Sequence, residues 1–350
     1  MNKSLIKKTF VTAALMACGS LLPSCVSSEP VEPPVSITEK GDQITLRFSA
    51  PKALETRADA NFKLRYVAKL YERQGLSIDP STMVRKDMIE GGEDGTVIVF
   101  QVDPDKIYEI HTFADYIPSY STVQADGTYP DYYYNTRTDA GNVSMIVNPG
   151  SSTRAITEEF FNNDNYDCFA RMDTVHKTKL KKELKCELQR AVAKVRFVDE
   201  SATPESFGSL TFSALSFFPD FNITTLQRGA YSTLKQWDIE QLNLTAMGNA
   251  ERHEVFYFYT FASSSRDNLK AFRFTTVNSA GQQVSRYIQD YEVPVMKNYV
   301  TTIKGKLVAD LPSQDEPDDP KEEDLEGGII LDLTTNPDWN SPDFTPDISF

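Results

Sequence analysis

Apolar residues recur at every second position along this chain, in short runs broken by turn signals. No long segment keeps the helical period of 3.6. Ile44, Leu46 and Phe48 alternate with Thr45 and Arg47, and Phe62, Leu64, Tyr66, Ala68 and Leu70 repeat the pattern. Residues 97–102 form an apolar run short enough for a core strand, after the turn Gly91-Gly92-Glu93-Asp94-Gly95. Further runs follow at 107–113, 210–212, 254–261, 271–277 and 287–293. Side chains on a strand alternate between its faces, so each run offers one face to a core. Many such strands separated by turns predict an all-β chain of packed sheets, not a helical or parallel α/β fold.

The 350 residues suffice for two domains of ordinary size. The spacing of the strands places them at 41–186 and 187–309. Between Leu188 and Ala191 the apolar residues change face, which predicts a bulge or bend at the passage between the two. The lysines of 177–182 alternate with apolar positions and read as the solvated face of an edge strand. The formal net charge is −14, an excess of acid that repels nucleic acid and anionic membrane surfaces.

The first 24 residues carry Lys3, Lys7 and Lys8 and then an apolar run too short to span a bilayer. They end in Leu22-Pro23-Ser24-Cys25, which resembles the bacterial lipoprotein signal, and Cys25 is then the lipidated first residue of the mature chain. Loss of the three lysines, with no acid in the leader, takes the net charge from −14 to −17. More than one acyl chain gives stable anchoring without a transmembrane helix, so the membrane is reached through the lipid alone. Residues 25–40 are rich in Ser, Glu and Pro and read as a tether.

Cys168 and Cys186 remain, and in an oxidising compartment they can bridge or stand as two small buried apolar residues. His111, His176 and His253 fall on separate strand patterns and make no metal or catalytic group. No phosphate-binding glycine loop and no nucleophile elbow occurs in the sequence. Residues 162–167 have oxygen ligands at alternate positions but lack the glycine and glutamate of a calcium loop, and read as a turn. Neither an enzyme nor a cofactor is expected. The polar stretch 118–135, with Tyr132, Tyr133 and Tyr134, reads as a surface loop whose aromatics could stack on a glycan.

From Asp310 to Gly328 the chain becomes Pro, Asp and Glu with almost no apolar residue, an extended linker. At about 3.3 Å per residue it reaches tens of ångströms. Beyond it lies a strand pattern at 329–335 with no neighbour in sequence to pair with.

Three stretches together resemble the fimbrillin-like lipoproteins of Bacteroidetes: the lipobox at Cys25, Leu188-Gln189-Arg190-Ala191-Val192-Ala193-Lys194-Val195, and Val293-Pro294-Val295-Met296-Lys297-Asn298-Tyr299-Val300-Thr301-Thr302-Ile303. The resemblance implies two tandem transthyretin-like Greek-key β-sandwiches with an extensible C-terminal strand in 310–350. It also implies a surface subunit of a fimbrium at the outer membrane, matured by an arginine-specific protease after Arg57. Its partners are then other subunits of the polymer. Removal of the first strand opens an apolar groove that an incoming strand fills, gaining hydrogen bonds and burial together. Ile329, Leu331 and Leu333 are the expected inserting face of that donor, because Asp332 must face solvent. The alternative is a monomeric surface lipoprotein that binds a host glycan or protein through 118–135.

Overall fold

The computed structural model describes residues 42–48, 61–91, 95–138, 141–149, 155–176, 182–199, 207–235, 238–239, 241–243, 254–270, 272–278, 281, 283–288, 293–305 and 330–335. These all fall in one compact unit, Gly41–Phe350. Cys25, Arg57, His253 and Ile329 lie outside the described residues.

The protein is all-β, as the alternation predicts, with short 3-10 turns as the other regular structure described. The strands are β1 (Gln43–Phe48), β2 (Phe62–Gln74), β3 (Ser77–Ile89), β4 (Thr96–Gln101), β5 (Tyr108–Pro118), β6 (Tyr134–Asn135), β7 (Asn142–Met145), β8 (Phe169–Val175), β9 (Lys182–Cys186) and β10 (Gln189–Arg190). They continue as β11 (Val192–Asp199), β12 (Phe207–Phe217), β13 (Asp220–Asn222), β14 (Gln227–Arg228), β15 (Ser232–Lys235), β16 (Leu242–Asn243) and β17 (Glu254–Phe261). The last are β18 (Asp267–Leu269), β19 (Phe272–Asn278), β20 (Gln283–Ile288), β21 (Val293–Val295), β22 (Tyr299–Gly305) and β23 (Ile330–Thr335).

A three-stranded sheet, β4-β1-β9, faces a five-stranded one, β10-β8-β5-β2-β3. Between them lies a core fed by alternate residues of each strand: Ile44, Leu46 and Phe48 from β1, Leu64, Tyr66, Ala68 and Leu70 from β2, and Ile98 and Phe100 from β4. Phe48 stacks on Tyr66 with ring centroids 4.8 Å apart. A second core lies among β11, β12, β17, β19 and β22, where Phe197, Phe256, Phe212 and Phe274 pack edge to face and in stacks. It also takes Tyr133, Tyr134, Phe160 and Tyr166 from earlier in the chain.

The chain passes from one core to the other where the face change was expected. Leu188 belongs to the first core and Ala191 to the second, with the two-residue strand β10 between them. A further sheet, β14-β13-β7-β6, takes two strands from before residue 187 and two from after it. In this sheet region Gly141 adopts φ +75, and a side chain there would meet the His111 ring 2.4 Å away, so the close approach requires glycine.

Candidate functional site

The expected removable strand is β1, and the pairing around it is specific. It lies antiparallel to β4, with Ile44 opposite Phe100 and Leu46 opposite Ile98, and parallel to β9, with Leu46 opposite Leu184 and Phe48 opposite Cys186. Among the described strands, β4 and β9 join only through β1. Ile44, Leu46 and Phe48 are buried, while Arg47 on the other face reaches Glu183 at 2.9 Å. At about 2 kcal/mol for each buried apolar side chain, the three together supply about 6 kcal/mol of burial. Gly95 closes one end of the site at φ +74, where a side chain would lie 2.7 Å from the Phe48 carbonyl oxygen. Arg57 belongs to the connection between β1 and β2, outside the described residues.

At the other end of the chain, the expected donor segment has a partner within its own molecule. β23 pairs antiparallel with β22, placing Leu331 opposite Ile303 and Leu333 opposite Thr301. β22 in turn runs parallel to β11, so β23 covers what is otherwise the open edge of that sheet. The sequence gives no local neighbour for this strand. Its partner is found about thirty residues back across the acidic stretch, which pattern alone does not locate.

Two of the stretches that carry the family resemblance meet in space. Arg190 grips Asp167 with two hydrogen bonds of 2.8 Å, and its remaining terminal nitrogen donates to the Asn298 side chain at 2.9 Å. Asn298 sits at φ +66, a conformation asparagine tolerates better than most residues, and its N–H donates to the Val192 carbonyl. Lys194 lies 3.4 Å from the centre of the Tyr257 ring and 3.3 Å from Asp164. These motif residues fasten the start of β11 to the chain on either side of it.

The stretch 118–135 differs most from expectation. It is a strap across the outer face of β2 and β5, and Tyr133 and Tyr134 are 1% and 0% exposed. Tyr134 donates to the Tyr166 carbonyl, and the two rings pack edge on. The physical reason lies beneath the strap, where β2 and β5 present charged groups that need cover. Arg65 is fully buried and binds Asp115 through two nitrogens at 2.9 and 2.7 Å. Its third nitrogen reaches Asp131 at 2.9 Å and the carbonyls of Tyr129 and Pro130, all on the strap. Asp87, held by Arg85 at 2.7 and 2.8 Å, accepts the Tyr129 N–H, and Lys69 donates to the Thr138 carbonyl. Burial pushes the Asp115 carboxyl up to about 6 against the pull of Arg65, with Asp131 and Asp87 adding repulsion, while Arg65 is held firmly protonated. Three carboxylates, Asp87, Asp115 and Asp131, gather here around Arg65 and Arg85, with Arg137 3.9 Å from Asp131.

The remaining sites expected from sequence resolve simply. Cys168 and Cys186 are free thiols, so the bridge that spacing allowed is not formed. Cys168 is buried in the second core and Cys186 in the first, and burial pushes the Cys186 thiol up to about 12. Residues 162–167 form a turn in which the Asn163 side chain accepts the Asn165 N–H, while Asp164 and Asp167 are engaged by Lys194 and Arg190. His111 is buried against Glu109 at 2.6 Å, burial holding its ring below the usual range, and His176 is exposed. No group of three metal-ligating side chains occurs among the described residues.

A model of a protein family of unknown function, DUF6562, matches residues 37–345, from just before β1 to beyond β23. The chain belongs to the DUF6562 family. No curated protein matches this DUF6562 chain in sequence. Among solved structures, a protein assigned to cell adhesion from Bacteroides eggerthii DSM 20697 is 11% identical, with a TM-score of 0.44, covering 84% of this chain and 95% of its own. The tip fimbrial protein Mfa3 from Porphyromonas gingivalis, with a C-terminal truncation, is 10% identical at a TM-score of 0.41, covering 84% and 98%. The fimbrial anchor protein Mfa2 from the same organism is 11% identical at 0.39, covering 75% and 90%. Likeness at this level carries no argument about the DUF6562 chain.

Proposed function

We propose that this protein is a non-enzymatic subunit of a cell-surface fimbrial polymer, assembled by exchange of strands between copies or related subunits. It is exported with a lipid on Cys25 and cut after Arg57 by an arginine-specific protease, which frees β1. The two sandwich portions at 41–186 and 187–309 are the polymer's body, and 310–350 is the connecting arm. The observation that carries this reading is the place of β1: it is the sole described link between β4 and β9, and its three apolar side chains fill a core that otherwise belongs to other strands.

Loss of β1 leaves facing strand edges with unpaired backbone groups and an apolar floor one strand wide. An incoming strand with the same alternation satisfies both. Ile329, Leu331 and Leu333 reproduce the spacing of Ile44, Leu46 and Phe48. Asp332 then takes the outward place of Arg47, whose β9 partner in register is Lys185. Donation requires β23 to leave β22, and the acidic linker has the length to carry it to a neighbour.

The test is N-terminal sequencing of protein recovered from the cell surface, separated into assembled and unassembled fractions. Assembled protein is expected to begin at Ala58 and unassembled protein at the modified Cys25. Assembled protein that still begins at Cys25 overturns the coupling of cleavage to assembly.

A further inference from the structure

β4 ends a described sheet of three strands that faces a sheet of five, so β3, at the end of the larger sheet, lacks a full cover. Val84, Lys86 and Met88 of β3 stand in register with Leu70, Ala68 and Tyr66 of β2, so all three point to the side of the first core. Leu70 and Tyr66 are buried there, but Val84 and Met88 are 46% and 42% exposed. The strip they form borders the open edge of β4, because the Lys86 ammonium between them reaches the Val99 carbonyl at 2.6 Å and lies over the Phe100 ring.

The edge itself is a row of backbone groups. Successive residues of a strand turn their N–H and C=O groups to opposite neighbours. Val102 donates its N–H to the Asp42 carbonyl at 3.0 Å, so the even-numbered residues of β4 bond toward β1. The odd-numbered Val97 and Val99 then face outward, as the Lys86 contact with the Val99 carbonyl shows. No described strand pairs with them there. A lysine at an open edge blunts pairing with the wrong strand, but it offers nothing to an N–H. A strand added at this edge would both pair those groups and cover the apolar strip.

We infer that residues 343–350 of this chain, which lie outside the described residues, add to the free edge of β4 and cover Val84 and Met88. Phe344, Pro346, Ile348 and Phe350 fall at every second position, separated by Asp343, Thr345, Asp347 and Ser349 only at the positions between. The first set supplies one apolar face, with aromatic rings suited to the Met88 thioether. The proline fixes the direction. With the apolar face inward and the segment antiparallel to β4, the backbones of Thr345, Asp347 and Ser349 pair with β4, and Pro346 turns its missing N–H to solvent. A parallel strand would turn that gap onto β4, so the pairing is antiparallel. Asp343 and Asp347 also bring negative charge to an edge held by a lysine. The inference does not require exchange of β1, because β4 keeps this edge whichever strand lies on its other side.

The experiment follows amide hydrogen exchange at Val97 and Val99 in the full, uncut chain by NMR. Both amides are expected to be protected. Ile348→Asp, a charge on the inward face, should speed their exchange by about tenfold or more, whereas Ser349→Asp on the outward face leaves it unchanged. In a chain carrying Met88→Cys and Ile348→Cys, mild oxidation should join the two introduced thiols, seen by peptide mass mapping. The pair Met88→Cys and Ser349→Cys should not join. Fast exchange at both amides in the unaltered chain, protection that survives Ile348→Asp, or equal joining of position 88 to 348 and 349 would each overturn the inference. Protection that rises with protein concentration in the Ile348→Asp chain would overturn it too, assigning the edge to a second copy's β4.

Discussion

Both faces of β2 are buried, one by apolar packing alone and the other with buried charges among its contacts. Leu64, Tyr66, Ala68 and Leu70 point into the first core beneath β1, whereas on the other face Val67 joins the second core, Arg65 is tied to the strap by hydrogen bonds and ion pairs, and Lys69 donates to the Thr138 carbonyl just beyond it. Apolar burial has no direction, so any strand of the right width and alternation can restore it. A buried guanidinium accepts only partners at fixed positions, and loss of one leaves a charge without compensation. On the proposed reading the two covers differ in role: β1 is the one a donor strand can replace, while the strap can only be its own.

The sharpest way to break this contrast is on the donor. Leu331→Asp puts a carboxylate on the inserting face and is expected to abolish polymer, whereas Ile330→Ser on the opposite face is tolerated. Equal polymer yields from the two would remove β23 as the donor. On the strap side, Arg65→Ala strands Asp115 and should cost about 4 kcal/mol in urea unfolding. A loss below about 1 kcal/mol would place Arg65 with ordinary surface ion pairs. Leu46→Ala leaves a cavity in the exchangeable face and should cost about 3 kcal/mol before cleavage. Once β1 has been removed, the same substitution should have no effect on the stability of the assembled protein.

The smallest expected effect is a pH dependence. Asp115 titrates at about 6 in the fold, above its ordinary carboxylate value, so between about pH 4 and 6 the folded state holds a proton that the unfolded state has released. This group's contribution to stability therefore grows as the pH falls from 7 through that window. Asp115→Asn should remove the slope, seen as a difference between the melting temperatures of the two proteins that changes from pH 7 to pH 4. A difference independent of pH would show that the Asp115 carboxyl is not raised in the fold.

Strands that lie between a core and another strand were legible in the sequence, because burial on one face writes a two-residue period. β1, β2, β4 and β17 appear close to where alternation places them. β3 was not legible. It is an exposed edge strand containing Pro80, and Met83, Val84 and Met88 remain largely open, so no burial pattern marks it. The strap was misread for a related reason. Glu109, His111 and Asp115 on β5 look like a solvent face, which leaves the tyrosines of 118–135 no surface to cover. In the fold Asp115 is paired beneath the strap, Glu109 and His111 pair with each other beside Thr224, and Tyr133 and Tyr134 go on to fill the second core. Pairing of a buried Arg65 with Asp115 and Asp131 joins residues fifty and more positions apart, which no local pattern reports.

The role assigned to β1 is tested most directly by cutting the full chain after Arg57 with an arginine-specific protease and following its mass distribution in solution. The cut protein is expected to grow into polymers, and excess synthetic peptide of the sequence Gln43–Phe48 should suppress that growth by refilling the vacated place. An Arg57→Ala chain should stay monomeric. Protein that has lost β1 and still remains monomeric would contradict the account.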